Sequence, residues 1–270
     1  MDDVTARREA EEELQECRDG LEQTITERTA ALSAANNKLE EANKDLESFA
    51  YSVSHDLRTP LRAIDGFSRI LIEDHADKLD AEGRRVLNVV RDSTDKMSHL
   101  IDGILAFSHV DRGEMKTTPV DMEALVRETL ADALAPAIAA RPLAIDIGKL
   151  PAAQGDPAML ERVWVNLLDN AIKFTASKPE ARIEIGATAG DGETVYHVRD
   201  SGVGFDMRYS DKLFGVFQRL HSAEFRGIGI GLAIVKRIVT RHGGRVWAEG
   251  KPGGGATFYF ALPMRGTGHA

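Results

Sequence analysis

Between residues 6 and 58 the chain has no proline and only one glycine, Gly20, and it is rich in Glu, Ala, Leu, Lys and Gln. Such a stretch favours helix at nearly every position. Its apolar residues follow two interleaved heptad rows. One row is Leu14, Leu21, Arg28, Ala35, Ala42 and Phe49; the other is Ile25, Leu32, Leu39, Leu46 and Val53. Over about five heptads this predicts a coiled coil, parallel or antiparallel. A lone helix of about 65 residues would run about 98 Å with its seam bare. Arg28 and the alanines leave the seam imperfect, which suits a helix pair that shifts rather than locks.

The apolar stripe continues through Val53, Leu57, Leu61, Ile64 and Leu71. Residues Asp77 to Gly83 read as a polar bend, and a second helix follows with Val86, Val90, Met97, Leu100, Ile101, Ile104 and Leu105 on its apolar positions. Such a hairpin cannot bury both stripes alone. Two hairpins make a four-helix bundle, so the pattern predicts a homodimer. At about 100° per residue from Val53, the stripe falls between about 0° and 80°, whereas Arg62, His55 and Thr59 fall at about 180°, 200° and 240°. His55 therefore points away from the core. Pro60, five residues on, removes a helix hydrogen bond at a cost of about 3 kcal/mol, which suggests a bend tolerated for function.

Bulk properties narrow the function classes. The formal net charge of -9 argues against nucleic acid as a partner. The single cysteine, Cys17, rules out an intrachain disulfide, and it reads better as a helix residue than as a redox sensor. No apolar run approaches the ~20 residues of a membrane span. The acidic start Met1-Asp2-Asp3 lacks the basic and apolar regions of a secretory signal. These features predict a cytoplasmic chain without a membrane span.

From Thr117 the texture changes. Strand-like runs at 143–147, 181–187, 194–199, 244–249 and 256–262 alternate with helical ones at 121–133, 156–174 and 229–241, and Gly190-Asp191-Gly192 reads as a hairpin turn. The expected fold is an α/β sandwich with helices on one face of a mixed sheet. On the helix begun by Asp156-Pro157, the residues Arg162, Asn166, Asn170 and Lys173 share a narrow polar strip. A satisfied polar pair at a domain seam and a ligand strip both fit that strip. As ligands, amide oxygens suit Mg²⁺ and a lysine suits phosphate. Three glycine or aromatic segments follow: Asp200-Ser201-Gly202-Val203-Gly204-Phe205, then Leu213-Phe214-Gly215-Val216-Phe217, then Gly227-Ile228-Gly229-Ile230-Gly231-Leu232. Glycines opening a helix bare its N–H groups to an anion. The spacing is GxGxG without a surrounding βαβ unit, which excludes a dinucleotide fingerprint, and no GxxxxGK[ST] loop occurs.

Ser54-His55-Asp56-Leu57-Arg58-Thr59-Pro60-Leu61 resembles the phosphoacceptor box of the sensor histidine kinases. The order asparagine helix, acidic glycine turn, aromatic box, glycine helix start resembles the ATP-binding domain those kinases share with DNA gyrase, the mismatch-repair ATPases and the 90-kilodalton heat-shock chaperone. The likeness spans roughly residues 45 to 265. It implies ATP and Mg²⁺ as cofactors, His55 as nucleophile with Asp56 as its acidic neighbour, and Thr59 as the residue that positions a water for dephosphorylating a response regulator. It implies Asn170 as the Mg²⁺ ligand with Asn166 assisting, Lys173 on phosphate, Phe174 along the base and sugar, and Asp200 on the adenine amino group. Gly202 and Gly204 would allow close approach, Phe214 and Phe217 would anchor a lid, and Gly227, Gly229 and Gly231 would close over the phosphates. Ile228 replaces a hydroxyl residue common in the family, and the lid from Phe217 to Gly227 is short.

The resulting organisation is multidomain, α followed by α+β. It comprises a coiled-coil linker at 1–45, a dimerisation and histidine-phosphotransfer hairpin at 46–113, an ATP-binding domain at 114–265 and a tail at 266–270. Asp3-Val4-Thr5 within residues 1–8 resembles the exit strand of a PAS-type sensor, which implies an upstream sensor domain. The implied activity is autophosphorylation of His55, phosphotransfer to a response-regulator receiver aspartate, and regulator phosphatase activity. The competing readings are a non-catalytic coiled-coil scaffold and a conformational ATPase.

Overall fold

The structure is a computed structural model that describes residues 2–109, 115–139, 141–190, 192–220, 225 and 229–264. The side chains of Leu14, Cys17, Leu39, Leu46 and Phe49, and of residues 1–8, lie outside the description. The chain divides into two compact units, Met1–Val53 and Ser54–Ala270.

Helix α1 (Asp2–Asp74) accounts for the first unit. Leu21, Ile25 and Leu32 are exposed there, so the described part of the heptad seam lies bare along the single chain. Asp3-Val4-Thr5, expected as a strand, is helical. A strand needs a neighbour for its backbone groups, and none of the described strands pairs with this segment.

The second unit begins on α1 and turns through Ala76–Lys78, a short 3₁₀ turn, into α2 (Ala81–His109). The bend is shorter than the polar run 77–83. Asp80 caps α2 by accepting from the Gly83 N–H at 2.7 Å, which draws Gly83 into the first helical turn. Within the hairpin, Ser54, Leu61 and Ser68 of α1 are buried, as are Thr94 and Ile101 of α2. Arg58–Asp102 at 2.7 Å and Arg91–Asp65 at 3.2 Å tie the two helices. Leu57, Ile64 and Leu71, with Val86 and Met97, remain exposed. Helix α1 continues through Pro60.

The remainder is a sandwich. Strands β1 (Thr118–Val120) and β3 (Ala153–Gly155) form a small antiparallel ribbon. Strands β2 (Leu143–Ile147), β4 (Ala181–Ala189), β5 (Glu193–Asp200), β6 (Arg245–Lys251) and β7 (Gly255–Pro263) form a sheet of order β2-β4-β5-β7-β6. Within this sheet of described strands, β2 and β4 pair in parallel and the other three pairings are antiparallel. Helices α3 (Met122–Ala131), α4 (Ala135–Ala139), α5 (Pro157–Phe174) and α6 (Gly231–Arg241) complete it. The ribbon, α4 and a 3₁₀ turn at Met207–Lys212 are additions to the expected elements.

Local chemistry sets the helix starts. Asp121 accepts from the N–H groups of Glu123 and Ala124, and Asp156 from that of Met159, with Pro157 in the first turn of α5. Arg141 closes the other end of α5, donating to the carbonyls of Ile172 and Thr175. The apolar face of α5 buries Val163, Trp164, Leu167, Leu168 and Ala171 against Ile183, Tyr196 and Phe260 of the sheet and Val235 and Ile238 of α6. Trp164 meets Phe260 edge-on with centroids 5.1 Å apart, and Tyr196 stacks on Phe260 at 5.0 Å.

Candidate functional site

Helices α5 and α6 pack side by side on the sheet and frame a cavity of about 270 Å³, a size suited to a small molecule. The polar strip of α5 opens into it. Asn166, Asn170, Lys173 and Phe174 all line it. Asn166 donates to the Arg162 carbonyl at 2.7 Å, and Lys173 Nζ donates to Asn170 Oδ1 at 2.9 Å. Burial holds the Lys173 ammonium below its ordinary range. Arg219 adds to that lowering, and Asp169 opposes it.

Asp200, the last residue of β5, also lines the cavity and is only 4% exposed. Its Oδ1 accepts from the Gly202 N–H at 2.8 Å. Burial pushes its carboxyl up to about 6, against the opposing backbone hydrogen bonds of Gly202 and Ala256. Gly202 lies behind Asp200 rather than in the cavity wall. A Cβ there would sit 2.5 Å from the Phe174 carbonyl oxygen. Gly204 does line the cavity and has φ 61°, the left-handed region that favours glycine.

Gly229 and Gly231 also line the cavity, where α6 begins. Gly229 has φ 77°, and a Cβ at Gly231 would lie 2.6 Å from Asn166 Oδ1. The start of α6 therefore lies against Asn166 of α5. Gly227 lies outside the described residues. The aromatic box is divided. Phe214 packs beside the core and lines a second cavity with Phe107, Val216 and Arg237. Phe217 is 52% exposed with φ 62° and lines neither cavity.

The structure adds residues that the motifs did not single out. Arg219 lines the cavity and donates to the Phe225 carbonyl at 2.9 Å. The Phe225 ring lies 5.0 Å from that of Phe174. Gly103 of α2 joins the wall, where a Cβ would come 2.7 Å from Ile230 Cδ1. Neither the arginine beyond the aromatic box nor the glycine of a distant helix carries a local pattern that marks it for this cavity. The cavity thus joins three kinds of group in one lining. A buried carboxyl suits a hydrogen-bond donor on a heterocycle. Two cations and a helix start suit an anion. Aromatic rings line the same cavity.

On α1, the His55 side chain is 70% exposed, and its Nδ1 lies 3.2 Å from Asp56 Oδ1. A proton on Nδ1 shared with Asp56 leaves the Nε2 lone pair facing solvent. Thr59 is exposed. Arg58, the neighbour of Thr59, is held by Asp102, which adjoins the cavity-lining Gly103. Among the described residues no group of three His, Cys, Asp or Glu is arranged to hold a metal, and no described helix is long and apolar enough to cross a membrane.

Residues 155–266 match the family described as histidine kinase-, DNA gyrase B- and HSP90-like ATPase. Residues 45–113 match the His Kinase A (phospho-acceptor) domain. The chain is 34% identical over 241 residues to phytochrome-like protein Cph1 of Synechocystis sp., covering 89% of this chain and 32% of that protein. It is 36% identical over 228 residues to the methanogenesis regulatory histidine kinase FilI of Methanothrix harundinacea, covering 84% of this chain and 25% of that one. Full-length ShkA in complex with AMPPNP superposes with a TM-score of 0.59 at 31% identity, over 79% of this chain and 45% of that chain. The chain spans a third or less of the length of these two sequence relatives.

Proposed function

We propose that this chain, which belongs to the sensor histidine kinases, uses ATP to phosphorylate His55 and passes the phosphoryl group to a receiver-domain aspartate. The observation that carries the proposal is a pairing. An exposed histidine whose Nε2 faces solvent and a pocket lined by a buried acid, two cations and aromatic rings occur in one chain. Asp200 would accept from the adenine amino group, and Phe174 would lie along the base and sugar. Lys173 and Arg219 would contact phosphate oxygens beside the start of α6. Asn170, assisted by Asn166, fits Mg²⁺ through a hard amide oxygen, with nucleotide phosphates completing the set. When bound, the ion neutralises phosphate charge during transfer.

Transfer requires the His55 Nε2 lone pair to attack the terminal phosphorus as the bridging oxygen leaves with ADP. The Asp56 carboxylate keeps the proton on Nδ1, so Nε2 stays nucleophilic. Thr59 shares the exposed side of α1 and would position a water to dephosphorylate the regulator. The exposed stripe of Leu57, Ile64 and Leu71 with Val86 and Met97 would be covered in a homodimer. The hairpin at 46–113 and the ATP-binding domain at 114–265 are the working parts of this reading. The coiled coil at 1–45 would carry the state of an upstream sensor, on the cytoplasmic side of any membrane. Incubation with γ-labelled ATP and Mg²⁺ should give acid-labile, base-stable label on the protein. Label retained by His55→Gln would overturn the assignment.

A further inference from the structure

The two helices that frame the cavity are antiparallel neighbours with two fixed points. Gly231 meets Asn166 at the cavity. At the far ends, His242 meets Asp156. His242 follows α6 and is only 4% exposed. Its Nδ1 lies 2.8 Å from the Ile238 carbonyl oxygen, and its Nε2 lies 3.0 Å from the Asp156 backbone nitrogen. A carbonyl accepts and an N–H donates, so this geometry allows one arrangement. Nδ1–H donates to Ile238, and Nε2 accepts from Asp156. Asp156 in turn caps α5, its Oδ1 accepting from the Met159 N–H at 3.2 Å. One imidazole therefore joins the last turn of α6 to the N-cap residue of α5.

The spacing of the two fixed points fits a strut. Asp156 to Asn166 is ten residues, about 15 Å of helix, and Gly231 to His242 is eleven, about 16 Å. Equal lengths mean that fixing the far end sets how Gly231 meets Asn166 at the near end. Gly155 makes room for the ring, since a Cβ there would lie 2.8 Å from His242 Cδ2 and 2.9 Å from Nε2. A site held on helices must keep its groups within about 0.5 Å of their working geometry.

We propose that His242 is a positioning residue for nucleotide binding: through the hydrogen bond it accepts from the Asp156 N–H it sets the axial register of α6 against α5, and so holds the start of α6 at Gly231 against Asn166. This rests on the nucleotide reading of the cavity. A role as a simple helix cap predicts something different, and two near-isosteres separate the two. Glutamine places an acceptor where Nε2 stands and keeps the link to Asp156. Asparagine places a donor where Nδ1 stands, favours helix ends, and cannot reach Asp156.

The test is calorimetric titration of the full chain with the non-hydrolysable ATP analogue AMPPNP and Mg²⁺, well below each variant's unfolding midpoint, with autophosphorylation measured alongside. His242→Asn and His242→Ala are expected to weaken analogue binding about tenfold and to raise KM for ATP more than they lower kcat. His242→Gln should stay within about twofold of the wild type. Gly155→Ala, whose Cβ would press on the ring and, at 2.7 Å, on the buried Leu160 Cδ1, should also weaken analogue binding. If His242→Ala does not fold, the Gln and Asn pair carries the comparison. Equal affinity in Gln and Asn variants, or rescue by Asn and not by Gln, overturns the proposal. A wild-type chain that fails to bind the analogue overturns the nucleotide reading instead.

Discussion

Replacing Asp200 with asparagine should push stability and ligand binding in opposite directions. In the folded chain burial raises the carboxyl from 3.8 to about 6. The charged form is therefore penalised in the native state. At about 1.36 kcal/mol per pH unit, that penalty is about 3 kcal/mol once the group is fully ionised. The sign follows from proton counts. Between pH 3.8 and 6 the folded state holds more protons than the unfolded one, so stability falls as pH rises through that window. The penalty is absent below it and complete above it. The amide of the Asp200→Asn variant would be neutral throughout and could still accept from the Gly202 N–H. The variant's stability advantage should thus grow by about 3 kcal/mol between about pH 4 and about pH 7. Binding should run the other way. With its oxygen turned to Gly202, the amide presents its NH₂ to the cavity, where the adenine amino group of the proposed function would need an acceptor. A donor facing a donor costs about 1–3 kcal/mol, roughly tenfold to a hundredfold in affinity. Both tryptophans of the chain, Trp164 and Trp247, lie on α5 and β6, so their fluorescence reports unfolding of the sandwich. Urea titrations at several pH values, paired with analogue titrations at about pH 7.5, where the wild-type carboxyl is ionised, make the measurement. A stability difference that is flat with pH, or a variant that is less stable yet binds normally, would refute the reasoning.

Gly204→Ala should cost about 3 kcal/mol or more, read as a lower urea midpoint by the same fluorescence. Its φ is left-handed, and a Cβ would lie 2.0 Å from the Lys251 carbonyl oxygen, which has no room to yield. Ile64→Asp places a charge on the bare stripe of the hairpin. Sedimentation should show a shift from dimer toward monomer with far-ultraviolet helicity largely kept, and an unchanged association state would count against that face as the dimer interface.

Periodicity made the larger elements legible. Strand β2 occupies the same residues, 143–147, that its alternating pattern picks out, because an apolar strand between polar turns has few other solutions. The ribbon strands β1 and β3 are three residues each, too short to show a period. The hairpin was harder. Its buried seam uses Ser54, Ser68 and Thr94 beside Leu61 and Ile101, so small polar residues sit where close helix approach needs them while larger apolar ones face outward. In the site, an acid before spaced glycines at a strand end marks only a turn with close backbone approach, so Asp200 stood out through the order of the four motifs and not through its own segment; it does line the cavity. Phe217 was not readable, because an aromatic box does not say which ring turns inward. Arg219 and Phe225 reach the cavity through the course of a loop, and no local pattern encodes that course.

Gly103 gives the cavity a wall from α2, the second helix of the hairpin that carries His55. Binding linkage is reciprocal. If a movement of α2 changes nucleotide affinity by some factor, nucleotide must change the equilibrium of that movement by the same factor. On the proposed function, occupancy of the pocket would then be an input to the hairpin as well as a consequence of it, and nucleotide level would be part of what sets the resting posture of His55.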